Sequence, residues 1–290
     1  MGSAQHPDPI KAVVYFSIGE AINKDIKATQ LNLRDQQLFT VNDSIVQLGN
    51  LRFLNLMRNN LEQWDEDLFT LKKLEVLNIR ENKLRQLPEQ IVNWRRLQQF
   101  DMAVNAFTSI PAAIGKLKEL RFLHASLNNL ISVDAAIGNC KLLEVLELQD
   151  NQLSHLPPAI GELKKLRVLK MGYNQINEFD AGWEGLQALQ ELNVEYNHIK
   201  QLPEAIGKLV NLRSLIVTGN RLDSLPASMV NLHNLQLLII SGNNIHQLPA
   251  NINKLQNLKT LIALNNPISA AEKQRVRNAL PGCQVYFDKD

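Results

Sequence analysis

Four residues with side chains suited to acid–base or metal chemistry recur at a single spacing. At intervals of 23 residues they are Asp101, His124, Glu147 and Lys170. A histidine between two carboxylates could bind a metal ion or form an acid–base pair. The alternative is a ladder of charge-compensated pairs across neighbouring strands. We favour the ladder, because the sequence predicts an open face without a pocket that would shift the pKa values of these groups.

The same interval governs most of the chain. An asparagine recurs every 23 residues, ten times, at Asn59, Asn82, Asn105, Asn128, Asn151, Asn174, Asn197, Asn220, Asn243 and Asn266. The surrounding pattern is L-x-x-L-x-L-x-x-N-x-L, as at Leu143, Leu146, Leu148, Asn151 and Leu153. A fixed period of this length indicates a solenoid, in which stacked turns bury a continuous core and each turn contacts only its neighbours.

Each turn must contain a strand that positions these side chains. Leu146 and Leu148 alternate with Glu147, which predicts a short strand with the leucines inward and the glutamate outward. Neighbouring turns then pair as a parallel sheet, and the asparagine at the strand end can bridge them, because its amide both donates and accepts hydrogen bonds. Ile160 and Leu163 are three residues apart, which predicts a short helical or 3-10 segment on the other side of the turn.

The repeated pattern resembles the leucine-rich repeat family over roughly residues 28–268. The second half of the turn, L-P-x-x-I-G-x-L at Leu202–Leu209, is similar to the Ras-suppressor-like and bacterial subclass. This resemblance implies an α/β horseshoe solenoid with a parallel β-sheet on the concave face and short helical or 3-10 segments on the convex face. It also implies a bacterial, non-enzymatic scaffold for protein–protein interaction.

The ends of the chain deviate from the repeat and are predicted to be helical caps. The predicted divisions are an N-terminal helical cap at 1–27, eleven leucine-rich repeats at 28–268, and a C-terminal cap of a helix and a short strand at 269–290. Helix start signals lie at Asp8–Pro9, Ser17–Glu20 and Ser269–Glu272, the last opening a helix to about Leu280. A final strand at Gln284–Phe287 is expected to cover the sheet edge.

Three turns replace the Leu-Pro pair with an apolar residue and an aspartate. The aspartates are Asp65, Asp134 and Asp180. Because an aspartate carboxylate accepts hydrogen bonds from free N–H groups at a helix start, each is predicted to cap the short segment that follows.

Composition limits the classes of partner. The chain is 45% hydrophobic with a formal net charge of +2, and no apolar run reaches the ~18 residues of a membrane span. Neither nucleic acid binding nor membrane insertion is therefore expected. Cys140 and Cys283 are predicted to lie too far apart for a disulfide. No signal peptide follows Met1, and an exported protein whose signal was replaced and a cytoplasmic protein are equally compatible with this sequence.

The outward positions of the strands and of the turns that follow are free to vary for function. The predicted binding residues of the concave face are Phe53, Met57, Asp101, Val104, Phe122, His124, Leu127, Glu147, Asp150, Lys170, Tyr173, Glu195 and Tyr196. Exposed apolar patches and tyrosines among them are typical of partner surfaces. A secondary apolar row, Ile216, Ile239 and Ile262, is compatible with a second contact site, a homodimer surface or β-propensity alone.

No catalytic motif occurs in the sequence, and no cofactor or metal is predicted. The leading hypothesis is a non-enzymatic module that binds another protein or a peptide. One alternative is a glycan-binding module in which the tyrosines stack on sugar rings. Another is the recognition half of a larger, ligase-type effector.

Overall fold

The computed structural model describes residues 12–179 and 182–289. The chain divides into two compact units, residues 1–146 and 147–290. Each unit repeats one coil, in which a short strand, an asparagine turn and a 3-10 segment follow one another. The helix start predicted at Asp8–Pro9 lies outside the described residues, and the predicted division into caps and eleven repeats stays a prediction.

The first unit contains a parallel sheet with a helix near its start. Its elements are β1 (Val14–Tyr15), α1 (Ile18–Lys24), β2 (Gln30–Asn32), β3 (Phe53–Asn55), β4 (Val76–Asn78), β5 (Gln99–Asp101), β6 (Ser109–Ile110), β7 (Phe122–His124) and β8 (Ser132–Val133). The sheet order is β1-β2-β3-β4-β5-β7, while β6 pairs with β8 in a small second sheet that the sequence pattern did not predict. The 3-10 segments are Asp43–Gln47, Glu66–Thr70, Glu89–Asn93, Ala112–Lys116 and Ala135–Asn139.

The division between the units falls within β9 (Val145–Glu147). The second unit then contains β10 (Val168–Lys170), β11 (Glu191–Asn193), β12 (Ser214–Ile216), β13 (Leu237–Ile239), β14 (Thr260–Ile262), α2 (Ala270–Ala279) and β15 (Gln284–Tyr286). Strands β10 to β15 pair in chain order and are parallel. The 3-10 segments are Pro158–Glu162, Trp183–Gly185, Glu204–Lys208, Ala227–Asn231 and Ile252–Lys254.

Alternation along each strand turns one set of residues, mostly leucines, to the core and the variable residues to the opposite side of the sheet. In β11 and the residue that follows it, Leu192 and Val194 are fully buried, while Asn193 between them is only partly buried. Leu192 pairs in register with Leu215, and Leu215 with Leu238. Full burial of one such side chain contributes about 1.5–3 kcal/mol. Because a slip by one residue would turn every leucine of a strand to solvent, the core fixes the register.

Buried asparagines connect successive turns, as predicted. The amide nitrogen of Asn174 donates to the carbonyl of Leu148 in the preceding turn (2.9 Å) and to Met171 in its own turn (3.1 Å). Its amide oxygen accepts a hydrogen bond from the backbone N–H of Leu153 (2.9 Å). Asn59 makes the equivalent set in the first unit. Each side chain therefore satisfies backbone groups that leave the sheet ladder at the strand end.

Both predicted helix starts within the described residues are capped by serine. Ser17 accepts a hydrogen bond from the N–H of Glu20 (3.1 Å), and Ser269 accepts one from Glu272 (3.3 Å). The Glu272 carboxylate does not reach back to Ser269 but accepts from the N–H of Leu248 (2.9 Å), so it joins α2 to the preceding turn. Across the described residues, no helix has the length and apolar character needed to cross a bilayer.

The capping aspartates behave differently from one another. Asp134 accepts a hydrogen bond from the N–H of Ala136 (2.8 Å), which is the predicted cap. For Asp65 the prediction is wrong, because its carboxylate accepts instead from the N–H of Val41 in the preceding turn (2.7 Å). Asp180 lies outside the described residues.

The two cysteines are free thiols, in agreement with the prediction. Cys140 is fully buried, and its Sγ–H donates to the carbonyl oxygen of Ile114 (3.3 Å). Burial raises the pKa of the Cys140 thiol to about 11, so the thiol stays protonated and unreactive near neutral pH.

Candidate functional site

The residue before each repeated asparagine adopts the left-handed backbone conformation. Its φ is 49° at Tyr196, 55° at Tyr173 and Val104, and 65° at Gly219 and Gly242. The whole row is Asp35, Arg58, Glu81, Val104, Leu127, Asp150, Tyr173, Tyr196, Gly219, Gly242 and Asn265. This conformation costs residues other than glycine about 1–2 kcal/mol, and asparagine is among those that tolerate it best.

Bulky side chains therefore occupy this row at an energetic cost. The last three positions carry the residues that suit the conformation, namely Gly219, Gly242 and Asn265. The bulky apolar and aromatic members are Val104, Leu127, Tyr173 and Tyr196. Strained backbone of this kind is concentrated at functional sites, where the surrounding structure holds it in place. These bulky residues mark a candidate surface in each unit.

In the first unit, ion pairs precede the apolar members of the row. Arg58 contacts Glu81 (2.8 Å), and Arg80 contacts the same carboxylate (3.2 Å). Further along the row, Val104 is partly buried and Leu127 is 48% exposed. The solvent-facing side of this sheet thus changes from paired charges to apolar surface.

Two predicted binding residues of the first unit are buried, which corrects their assignment to an exposed face. Phe53 is 5% exposed and Asp101 is 1% exposed. The Asp101 carboxylate accepts a hydrogen bond from the N–H of Ala103 (3.1 Å), and Asn55 makes the same contact with Met57 (2.9 Å). An acidic or amide side chain that binds the backbone two residues onward stabilises a turn. Asp101 therefore has a structural role at the strand end.

The remaining predicted residues of the first unit reach the solvent. Met57, Phe122 and His124 are partly buried. His124 is aligned with Asp101 on the neighbouring strand, as the ladder interpretation requires. Within residues 12–179 and 182–289, no group of three or more His, Cys, Asp or Glu side chains is placed to hold a metal ion.

In the second unit, Tyr173 and Tyr196 stack on each other. Their ring centroids are 4.6 Å apart with an interplanar angle of 23°, and the residues are 48% and 47% exposed. Tyr196 also lies over Gly219, since a Cβ atom on that glycine would come within 2.5 Å of the Tyr196 ring. The absence of a side chain at Gly219 thus leaves room for the Tyr196 ring against the backbone. The two tyrosines together present a half-exposed aromatic surface.

Glu195 is held beside this pair by two hydrogen bonds. Its carboxylate accepts from the side-chain amide of Asn193 (2.8 Å), and its N–H donates to the amide oxygen of the same residue (2.9 Å). A Cβ atom on Gly172 would lie 2.8 Å from the Glu195 Cγ, so Glu195 extends over that glycine. Gly172 directly precedes Tyr173, which places the carboxylate next to the tyrosine pair.

Negative charge surrounds the phenol of Tyr173. Desolvation of the phenol is the largest cause that raises the pKa of Tyr173, and the neighbouring Glu195, Tyr196 and Asp150 raise this pKa further. Asp150 precedes Tyr173 in the left-handed row, and its side chain is exposed. The tyrosine pair is therefore bounded by two carboxylates.

Lys170 lies between two other carboxylates of the second unit. Its Nζ is 3.3 Å from Glu147 and 3.7 Å from Glu191, and all three side chains are partly buried. Although desolvation lowers the pKa of Lys170, the charges and hydrogen bonds of both glutamates outweigh it, and the pKa is raised. Glu147 and Lys170 thus form the kind of pair that the ladder interpretation predicts.

The predicted secondary row is continuous in the structure and longer than expected. Ile216, Ile239 and Ile262 are partly buried and aligned in register on β12, β13 and β14. Tyr286 on β15 extends the row beside Ile262 and is 49% exposed.

Sequence reasoning missed the left-handed row, the glycine positions that make space for neighbouring side chains, and the contribution of Tyr286. The sequence did contain one indication of the left-handed row. Gly219 and Gly242 occupy the same repeat position as Tyr173 and Tyr196, and glycine at a fixed position commonly indicates positive φ. No sequence signal showed that the two tyrosine rings contact each other.

Comparison with family models places the chain among known repeats. A model described as "leucine-rich repeat region" matches residues 31–132 and 186–277, and a second, "leucine rich repeat", matches residues 141–199. A search among curated proteins found no match.

Solved structures similar to this chain come from bacteria and plants. A leucine-rich repeat protein of Leptospira interrogans is 32% identical with a TM-score of 0.83, over 92% of this chain and 74% of that protein. An internalin of Listeria monocytogenes is 20% identical with a TM-score of 0.80, over 91% of this chain and 76% of the internalin. The ectodomain of an Arabidopsis thaliana receptor kinase, in complex with Casparian strip integrity factor 2, is 30% identical with a TM-score of 0.64, over 86% and 34% of the two chains.

Proposed function

Because this chain belongs to the leucine-rich repeat family, we propose that it is a non-enzymatic scaffold that binds another protein or a peptide. The contact surface is the solvent-facing side of the sheet in the second unit, centred on Tyr173 and Tyr196. We call this surface the tyrosine site, and it comprises the two rings with Asp150 and Glu195.

The observation that carries the proposal is the strained, half-exposed tyrosine pair. Tyr173 and Tyr196 have φ values of 55° and 49°, where glycine or asparagine would fit with less strain. The stack of the two rings returns about 0.5–1.5 kcal/mol, which is less than the combined backbone cost of about 1–2 kcal/mol at each of the two positions. Tyrosine is among the residues that contribute most to protein–protein binding, since its ring buries a large area with little loss of conformational entropy.

Related structures support a macromolecular ligand. The similar Arabidopsis ectodomain is in complex with Casparian strip integrity factor 2, and another similar structure is a plant peptide hormone receptor in complex with its ligand. Both are longer than this chain, which spans 34% and 42% of them. They support the class of ligand, while the residues of the tyrosine site come from this chain itself.

The test replaces both tyrosines with asparagine, which removes the rings but suits the left-handed backbone, as Asn265 does in the same row. The tagged wild-type chain and the Tyr173→Asn/Tyr196→Asn variant are used to capture partners from an extract of the native source. Captured proteins are identified by mass spectrometry, and the binding of the purified partner is measured by calorimetry. We expect the double variant to bind at least tenfold more weakly. Removal of an anchoring tyrosine from a protein interface commonly costs about 2 kcal/mol or more, and about 1.4 kcal/mol corresponds to a tenfold change in affinity.

A control variant, Val210→Asn, removes an exposed apolar side chain (44% exposed) from outside the sheet in the same unit. It should bind like the wild type. Equal binding by the wild type and the double tyrosine variant would contradict the proposal. So would a ligand on a glycan array that depends on the same two tyrosines when no protein is captured, since that result assigns the site to sugar binding.

A further inference from the structure

The tyrosine site carries carboxylates that are not neutralised by cations. In the described part of the chain, neither Asp150 nor Glu195 forms an ion pair, whereas Glu147 and Glu191 share the ammonium group of Lys170. Within the described residues, the side chain that donates to the Glu195 carboxylate is the neutral amide of Asn193. The site therefore has an excess of negative charge although the whole chain has a formal net charge of +2.

The carboxylates and the two rings belong to neighbouring turns. Tyr173 stacks on Tyr196 on one side, and Asp150 holds the same row position in the preceding turn. Glu195 directly precedes Tyr196 and extends over Gly172, the residue before Tyr173. The charges of both carboxylates raise the pKa of the Tyr173 phenol. A cation on the exposed part of the Tyr173 ring would therefore be attracted by the ring and by both carboxylates.

From this arrangement we infer that the partner inserts a positively charged side chain, arginine in preference to lysine, at Tyr173 between Asp150 and Glu195. The inference rests on the proposed function and specifies the chemistry of the partner. Aromatic faces attract cations through the ring quadrupole. A guanidinium group is planar, so it stacks on a ring while its N–H groups donate to carboxylates in pairs, which a lysine ammonium cannot do.

The neighbouring apolar row adds a second requirement. Ile239 lies on β13, three strands from β10, so the two strands are ~14 Å apart at the usual strand spacing. Ile239 is in register with Lys170, and Tyr173 lies three residues further along the chain, so Tyr173 and Ile239 are ~14–18 Å apart. An extended chain advances ~3.3 Å per residue, so this distance corresponds to about four to six residues. The partner segment is therefore an extended peptide with a basic residue and an apolar residue about four to six positions apart.

The test uses a display library of random 12-residue peptides, selected on the full wild-type chain. Enriched peptides should contain arginine more often than lysine, with an apolar residue about four to six positions away. One enriched peptide is then synthesised with arginine and with citrulline, which has the same shape without the charge. We expect the citrulline peptide to bind about tenfold more weakly, the loss typical of a charge-assisted contact.

Variants of the protein in which the two carboxylates are replaced by neutral amides are tested against the same two peptides. Asp150→Asn keeps a residue suited to positive φ, and Glu195→Gln keeps an oxygen for Asn193, so both changes preserve the backbone. In this double variant the preference for the arginine peptide should fall to about two- to fivefold, because the Tyr173 ring still attracts the cation. The matched control, Glu178→Gln/Asp223→Asn, removes the same charges from exposed positions outside the strands and should retain the tenfold preference.

The outcomes separate this inference from the proposed function. Enriched peptides that require the tyrosines but carry no basic residue would overturn the cationic inference and leave the proposed function standing. A preference for arginine that stays tenfold in the Asp150→Asn/Glu195→Gln variant would also overturn it. Peptide binding that is unchanged in the Tyr173→Asn/Tyr196→Asn variant would overturn both.

Discussion

Replacement of Gly219 by alanine should damage the tyrosine site, whereas the same change at Gly242 should not. Both glycines have a φ of 65°, so alanine meets the same left-handed backbone at each position. That conformation costs about 1–2 kcal/mol in both variants. The new Cβ atom at position 242 meets its nearest atom at 3.4 Å, whereas at position 219 it would lie 2.5 Å from the ring of Tyr196.

The ring of Tyr196 must therefore move in the Gly219→Ala variant only. Moving it breaks the stack with Tyr173, which is worth about 0.5–1.5 kcal/mol beyond the buried area. We expect Gly242→Ala to cost about 1–2 kcal/mol and Gly219→Ala about 2–3 kcal/mol. Ligand binding should weaken in the Gly219→Ala variant and remain unchanged in the Gly242→Ala variant.

Urea unfolding measures these costs, with midpoints compared at equal slope. The comparison is repeated in the Tyr196→Asn background, where the extra cost of Gly219→Ala should vanish, because the double-mutant cycle isolates the contact between ring and Cβ. Equal costs for the two alanine variants in the wild-type background would refute the reasoning. An extra cost that survives without Tyr196 would also refute it, since it would then come from the backbone.

Three further predictions concern stability. Asn174→Ala should cost about 3 kcal/mol, because it leaves buried backbone groups without partners; the control Asn177→Ala, at an exposed position, should cost little in the same urea titration. Above pH 9.0 the unfolded thiol of Cys140 ionises, while burial raises the pKa of the folded thiol to about 11, so stability should fall over this range in the wild type and not in Cys140→Ala. The hydrogen bond from Arg275 lowers the pKa of Glu272 in the folded chain. The ionised Glu272 therefore contributes stability above the usual carboxyl pKa, and this contribution is lost as the pH falls through the lowered pKa of the folded state. The Glu272→Gln variant should lack this part of the loss of stability in acid.

Much of the fold could be predicted from residue types and spacing. The strands, the 3-10 segments and the asparagine contacts depend on residues within one turn or in the adjacent turn. Asn174, for example, binds the carbonyl of Leu148, 26 residues earlier, and Asn197 binds the carbonyl of Met171 at the same separation. The small sheet of β6 and β8 and the contact from Asp65 to Val41 were not predictable, because they depend on local geometry between turns.

The candidate site was predicted in outline and corrected in detail. The face and most of its residues follow from strand alternation. Phe53 and Asp101 occupy outward positions by that rule, yet they are buried. For Asp101 the reason is visible, since its carboxylate turns back to the N–H of Ala103. Alternation states the side of the sheet on which a residue lies, but neighbouring side chains decide whether it reaches solvent.

By itself the sequence determined the repeat, the leucine core and the hydrogen-bonding asparagines, because each is a local pattern that every turn must satisfy in order to stack. Only the tertiary structure decided that Tyr173 and Tyr196 form a stacked pair over Gly219, with Asp150 and Glu195 beside them. These residues come from four successive turns of the chain, and ring orientation depends on the space that the neighbouring turn leaves. The scaffold is thus encoded within each turn, and the chemistry of the site arises between turns.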